Sequence, residues 1–157
     1  MVAVPPDPHA ACMTSTADLQ PAASAPADAK VDAVRRLYDA FGRGDLDGVL
    51  AELADDVDWA AEAAGDAAPW WGPHRGKAAV PAFFAAISDH VEITEFVPLA
   101  YTCNDIDVVA IVHWTFTVRA TGKTASMYMQ HWWRFADGRI VFFRGSEDSA
   151  QTAAVFS

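Results

Sequence analysis

The segment from Thr124 to Asp148 constrains this chain's fold more than any other. Two apolar runs, Thr124 to Phe135 and Arg139 to Asp148, flank Asp137-Gly138. Both turn residues tolerate the positive φ that a two-residue hairpin turn demands. The spacing therefore predicts an antiparallel hairpin. Alternate residues of a strand share a face, so Met127, Met129, His131 and Trp133 lie together. Pairing Ala136 with Arg139 and counting outward sets His131 opposite Arg144 and Met127 opposite Asp148. One face then carries Met127, Met129, His131, Trp133, Phe142, Arg144, Ser146 and Asp148. It is an apolar wall holding one imidazole, one guanidinium and one carboxylate, as expected for the floor of a pocket.

The strand before the hairpin extends that wall. Val108 to Arg119 is β-branched and aromatic, and Thr121-Gly122 is a turn signal. A two-residue turn there sets Phe116 opposite Met127, Trp114 opposite Met129 and Val112 opposite His131. The pocket face gains Val112, Trp114, Phe116 and Val118. The other face holds His113, Thr115, Thr117, Tyr128, Gln130, Trp132, Arg134 and Glu147. Its mixed character suits a protein interface, so a homodimer through the outer sheet face is expected.

Upstream, the period changes from two to 3.6. Val31, Val34, Leu37, Tyr38 and Phe41 trace one side of an amphipathic helix that Gly42 and Gly44 end. Asp45 is a natural N-cap for a second helix bearing Leu46, Val49, Leu50 and Leu53. Val57 to Ala60 reads as a short strand, and Glu62 to Arg75 as a loop. A third helix carries Ala79, Val80, Phe83, Phe84 and Ile87, with Pro81 in its first turn. Val91 to Tyr101 returns to strand, with Pro98 marking an edge or bulge. The end, Ser149 to Ser157, reads as a short helical or loose tail. Residues 1–29 carry no aromatic residue and five prolines, and read as a flexible leader before a domain spanning 30–157. Helices followed by strands in tight succession predict an α+β fold, with three N-terminal helices packed on a curved, mostly antiparallel sheet.

Composition excludes some partners. With a formal charge of −10, the chain would be repelled by nucleic acid and by anionic membranes. No apolar run reaches the length of a membrane span. Cys12 and Cys103 have no metal-ligand spacing, so two free thiols in a cytoplasmic protein are expected. No metal or other cofactor is expected.

Several segments together resemble the SnoaL-like, ketosteroid-isomerase-like proteins of the nuclear transport factor 2-like superfamily. They are Val34-Arg35-Arg36-Leu37-Tyr38-Asp39-Ala40-Phe41 with Gly44-Asp45-Leu46-Asp47, Leu53 to Trp59, Trp71 to Gly76, Gly122-Lys123, His131 to Ile140, and Glu147-Asp148. The resemblance runs from Lys30 to about Ala154. It implies a conical α+β barrel with a deep apolar pocket, usually in a homodimer. This superfold hosts isomerases, cyclases, epoxide hydrolases and binding domains, so the resemblance implies no single activity.

The candidate catalytic residues are Asp148, His131 and Arg144. Asp148 ends an apolar face, where desolvation raises a carboxyl pKa toward that of a useful base. In limonene epoxide hydrolases, which share the implied fold, an aspartate in a matching place is catalytic. The alternative roles for Asp148 are an ion pair with Arg144 or a cap for the C-terminal tail. Trp71, His74, Trp114, Phe116, Met127, Met129, Trp133 and Phe142 are candidate substrate contacts. Tyr38 and Tyr101 are possible phenol donors, with Tyr38 reading as core. Where ketosteroid isomerases place a base aspartate, this chain has Ala61, with Glu62 one residue away. The Arg-x-Asp that epoxide hydrolases carry on a middle strand is replaced by Val112-His113-Trp114-Thr115. The expected function is cofactor-independent acid/base chemistry on an apolar, carbonyl-bearing, polyketide- or terpenoid-like molecule. The alternatives are a binding module that holds such a ligand unchanged, an epoxide hydrolase, or an assembly domain.

Overall fold

A computed structural model of the chain describes residues 13–15 and 29–157. Helix α1 (Ala29–Gly42) buries Val31, Val34, Leu37 and Tyr38, the stripe its sequence period requires. Gly44, at φ +67°, turns the chain after it. Asp45 caps α2 (Leu46–Ala51) by accepting a hydrogen bond from the Gly48 N–H at 2.9 Å. Helix α3 (Val80–His90) follows a single 3-10 turn at Lys77–Ala79 and has Pro81 near its start, where a missing N–H costs nothing. A fourth helix, α4 (Ser149–Phe156), forms the C-terminus.

Seven strands make one sheet: β1 (Met13–Ser15), β2 (Leu53–Ala61), β3 (Gly72–Arg75), β4 (Val91–Cys103), β5 (Asp107–Val118), β6 (Thr124–Ala136) and β7 (Arg139–Ser146). Their order is β1-β4-β5-β6-β7-β2-β3, with β2 and β7 parallel and every other pair antiparallel. The sheet is curved but does not close into a barrel. Pro98 sits at a register shift in β4, since a residue without an N–H cannot hold the ladder there. β2 is longer than the short strand expected. β3 lies inside the segment expected to be loop. Met13–Ser15 pairs with β4 at the sheet edge, and the rest of the expected leader lies outside the described residues.

The inner face of the sheet and the helices enclose an aromatic core. Trp59, Trp70, Trp133 and Phe116 are all within 1% of full burial. Trp59 and Trp133 each stack on Phe143, at centroid distances of 4.2 and 4.3 Å. Burying one such ring contributes about 4–6 kcal/mol of transfer free energy before entropy is counted.

Two registers differ from the sequence expectation. Between β5 and β6 the loop has four residues, because Val118 pairs with Lys123 through its N–H, and Thr117 faces Thr124. Trp114 therefore faces Met127, Val112 faces Met129 and Ala110 faces His131. That shift is two residues, an even number, so every side chain keeps its expected face. Between β6 and β7 the Asp137-Gly138 turn forms as expected, with φ of 49° and 75° and Ala136 facing Arg139. One residue later the ladder slips: Phe135 faces Ile140, but Arg134 faces Phe142, leaving Val141 unpaired. This single-residue bulge moves every later β7 side chain to the other face. His131 faces Gly145 rather than Arg144.

The cysteine expectation is also corrected. Cys103 is disulfide-bonded rather than free. The sequence holds one other cysteine, Cys12, which lies outside the described residues. Among the described residues no helix is long and apolar enough to cross a membrane.

Candidate active site

An apolar cavity of about 70 Å³ lies between the inner sheet face, α1 and α3. By the volume one water occupies, it has room for roughly five waters, or for one small ring. Most of its wall is aromatic, including Phe41, Trp59, Phe83, Phe96 and Trp133. Three ionisable residues belong to its lining: Tyr38, His131 and Glu147. On one side, Phe41, Phe84, Ile93 and Phe96 separate it from a wider surface groove between α1, α3 and β4. On the other, Ala61 divides it from a groove lined by Trp71, Arg75 and Arg144.

His131 is carried on β6 and is 9% exposed. Its Nδ1 lies 2.9 Å from the Tyr38 hydroxyl, and the Trp133 indole N–H donates to that same hydroxyl at 3.3 Å. Burial lowers the His131 pKa to about 3, so the imidazole is neutral at physiological pH. Burial pushes the Tyr38 phenol well above its usual value, against the weaker pull of the Trp133 hydrogen bond.

Glu147 is half-buried just beyond β7, two residues on from Gly145. Its Oε1 accepts from the Trp71 indole at 2.5 Å and from the Thr152 hydroxyl at 3.2 Å. Desolvation raises its pKa above the ordinary glutamate value, opposed by the hydrogen bonds from Trp71, Thr152 and Trp70 and reinforced by the nearby Asp148 charge. A carboxylate of raised pKa beside an apolar cavity is a stronger base than a solvated one. A Cβ at Gly145 would lie 3.1 Å from Phe143 Cζ, a crowded contact, and 3.8 Å from His131 Cδ2, an ordinary one.

The expected site residues divide accordingly. His131, Met129, Trp133 and Trp114 line the cavity. Phe116 and Met127 are buried on the same face but do not line it. Phe116 stacks on Trp114 at 4.2 Å, and Met127 takes the Thr152 hydroxyl against its sulfur. Trp71 touches the site only through Glu147. His74, on β3, packs edge-on against Phe83 outside the cavity, with Nδ1 buried and unpartnered.

Phe142 and Arg144 lie on the outer face, a consequence of the Val141 bulge. Arg144 Nη2 donates to Asp58 Oδ2 at 2.8 Å and Nε to Glu62 Oε1 at 2.7 Å, while its guanidinium sits 4.1 Å over Phe142. Arg144 in turn holds the Asp58 carboxyl below its usual range. Glu62 is thereby directed away from the cavity, and Ala61 lines the wall without a functional group. Asp148 is exposed and caps α4, accepting from the Gln151 N–H at 3.0 Å. Its neighbour Glu147, expected on the outer face, belongs to the cavity lining instead. The apolar pair Phe142-Phe143 fits either face, so the sequence of β7 contains no alternation that would reveal the bulge. Among the described residues, no three His, Cys, Asp or Glu side chains converge as metal ligands do.

A SnoaL-like domain model matches residues 34–143. The chain belongs to the SnoaL-like family. Among solved structures, it is similar to a nuclear transport factor 2-like protein of unknown function from Burkholderia pseudomallei, at 30% identity and a TM-score of 0.76, covering 83% of this chain and 98% of that one. A second protein of that fold, from Burkholderia thailandensis, is 25% identical with a TM-score of 0.73, covering 80% and 95%. A proposed polyketide cyclase from Xanthomonas campestris shares the fold at 24% identity and a TM-score of 0.67, covering 82% and 97%. No curated protein matches the sequence. The SnoaL-like architecture accounts for the position of the cavity, which the helices and the inner sheet face enclose together.

Proposed function

We propose that this SnoaL-like protein is a cofactor-independent enzyme that moves a proton next to the carbonyl of a compact apolar molecule. What supports the reading is one observation: a carboxylate made more basic by burial and a neutral imidazole line the same apolar cavity. Glu147 takes the proton from the carbon beside the carbonyl. The C–H electron pair becomes the new C=C bond, and the carbonyl π pair moves onto oxygen. His131 donates a hydrogen bond to that oxygen as charge develops. Returning the proton to a different carbon completes an isomerisation; in a cyclisation the enolate carbon attacks a second carbonyl, whose π pair moves onto its oxygen, and that oxygen takes the proton back from Glu147. A placed general base contributes about 10²–10⁴-fold and one oxyanion donor about 10²–10³-fold, so the two together supply a usable rate without a cofactor.

The substrate is a polyketide- or terpenoid-like carbonyl compound whose reacting end is no larger than about one ring. The test uses a panel of cyclohexenone- and tetralone-type ketones in D₂O, with binding and α-proton exchange followed by NMR. Exchange accelerated by the wild-type protein supports the enzyme. A second reading is a binding module, favoured by the absence of a functional group at Ala61. Ligands that bind in the cavity while their α-protons exchange at the background rate would establish that reading instead.

A further inference from the structure

A neutral histidine can present either an N–H or a bare lone pair to a substrate, and only the N–H stabilises an oxyanion. We infer that Tyr38 is a positioning residue: with Trp133 it locks His131 in the tautomer whose Nε2–H is directed to the cavity. The inference deepens the proposed function and rests on that reading for its catalytic meaning, though not for its structural content.

The protons around the Tyr38 oxygen decide the tautomer. The Trp133 indole nitrogen can only donate, and it occupies one lone pair of the Tyr38 hydroxyl at 3.3 Å. His131 Nδ1 lies 2.9 Å from the same oxygen. If Nδ1 carried the ring proton, the hydroxyl would accept twice. Its own hydrogen would then be stranded among Phe96, Tyr101 and Trp133, the rings packed around Tyr38. An unsatisfied buried donor costs about 1–3 kcal/mol. If the hydroxyl instead donates to Nδ1, every group is satisfied: indole to phenol, phenol to Nδ1, and the ring proton on Nε2. A proton transfer giving tyrosinate and imidazolium is disfavoured at both ends, because burial opposes each charged form.

Nε2 has no partner among the described residues, and His131 lines the cavity. Gly145 lies beside that edge of the ring: a Cβ there would be in ordinary contact, at 3.8 Å, with Cδ2, the ring carbon bonded to Nε2. The lock therefore extends from β6 through α1 and back to β6, and its output is a fixed N–H donor in an apolar space.

The test is a long-range ¹H–¹⁵N spectrum of histidine-labelled full-length protein near neutral pH, which needs no substrate. The expected result is an unprotonated Nδ1 and a protonated Nε2 for His131. A protonated Nδ1, or protons on both nitrogens, would overturn the inference. In Tyr38→Phe the two nitrogens should move toward averaged shifts, and the rate of any catalysed α-proton exchange should drop at least tenfold with KM little changed. An unaltered tautomer signature in Tyr38→Phe would also overturn it. Should that variant fail to fold, the wild-type spectrum still decides. Correct tautomer with no exchange on any ketone would sink the enzyme reading alone. Exchange with the opposite tautomer would sink this inference alone.

Discussion

At the residue scale, buried His131 and half-buried Glu147 have pKa shifts of opposite meaning for stability. The His131 pKa falls to about 3 from an ordinary 6.5. A histidine depressed on folding contributes stability that is complete above its unfolded pKa and is lost as pH falls toward the folded one. Unfolding free energy should therefore decline as pH drops from about 6.5 toward 3, by a few kcal/mol from this residue alone. Urea titrations at pH 7.5, 6 and 5 on wild type and His131→Asn check this: the decline should be shallower in the variant. Identical pH slopes would contradict the buried neutral imidazole. Glu147 has the opposite sign. Its pKa is raised by burial, so stability falls as pH rises from the ordinary glutamate value to the folded pKa, and the cost is complete above the folded pKa and absent below the ordinary value. Glu147→Gln should raise the melting temperature near neutral pH and leave it nearly unchanged near pH 4. If it lowered stability at pH 7.5 and not at pH 4, the carboxylate would be structurally required rather than strained.

At the element scale, β7 decides the site. The hairpin, its Asp137-Gly138 turn and the inward face of β6 were all legible, because strict alternation in β6 leaves one arrangement that buries Met127, Met129, His131 and Trp133. The β5–β6 loop is two residues longer than its turn signal suggests, and because that shift is even every side chain keeps its face. The Val141 bulge is a shift of one, and it exchanged Arg144 and Asp148 for Gly145 and Glu147. Nothing local announces it, since Val141, Phe142 and Phe143 are apolar in either register. Helix α1 was legible from its period, yet the link from Tyr38 to His131 was not, because a contact spanning 93 residues has no local signature.

Arg144 separates the two registers experimentally. On the outer face it holds Asp58 and Glu62 and has no access to the cavity. Arg144→Met should cost about 1–3 kcal/mol in stability through those lost charge-assisted bonds. Ligand affinity for the cavity, measured by calorimetry at a temperature where the variant is folded, should be unchanged. A loss of affinity of tenfold or more without loss of stability would restore the register read from the sequence.

Across the whole molecule, the outer sheet face exposes large apolar side chains. Tyr128 is 64% exposed, Val97 40% and Trp132 38%. The Arg134 guanidinium lies 5.1 Å over the Trp132 ring. These large side chains share the sheet's outer surface, the composition that a face between two copies carries. The proposed homodimer predicts that Trp132→Glu shifts the sedimentation coefficient from dimer to monomer while the far-ultraviolet spectrum stays the same. A wild-type protein already monomeric at high micromolar concentration would contradict it.

The proposed base of this cavity is Glu147, not its neighbour Asp148. The most direct measurement compares α-proton exchange of a bound cyclic ketone in D₂O for wild type, Glu147→Gln and Asp148→Asn under one set of conditions. The account predicts a loss of about 10²–10⁴-fold in Glu147→Gln and wild-type exchange in Asp148→Asn, apart from the stability lost with the α4 cap. Full exchange in Glu147→Gln, or a collapse confined to Asp148→Asn in a folded protein, would contradict it.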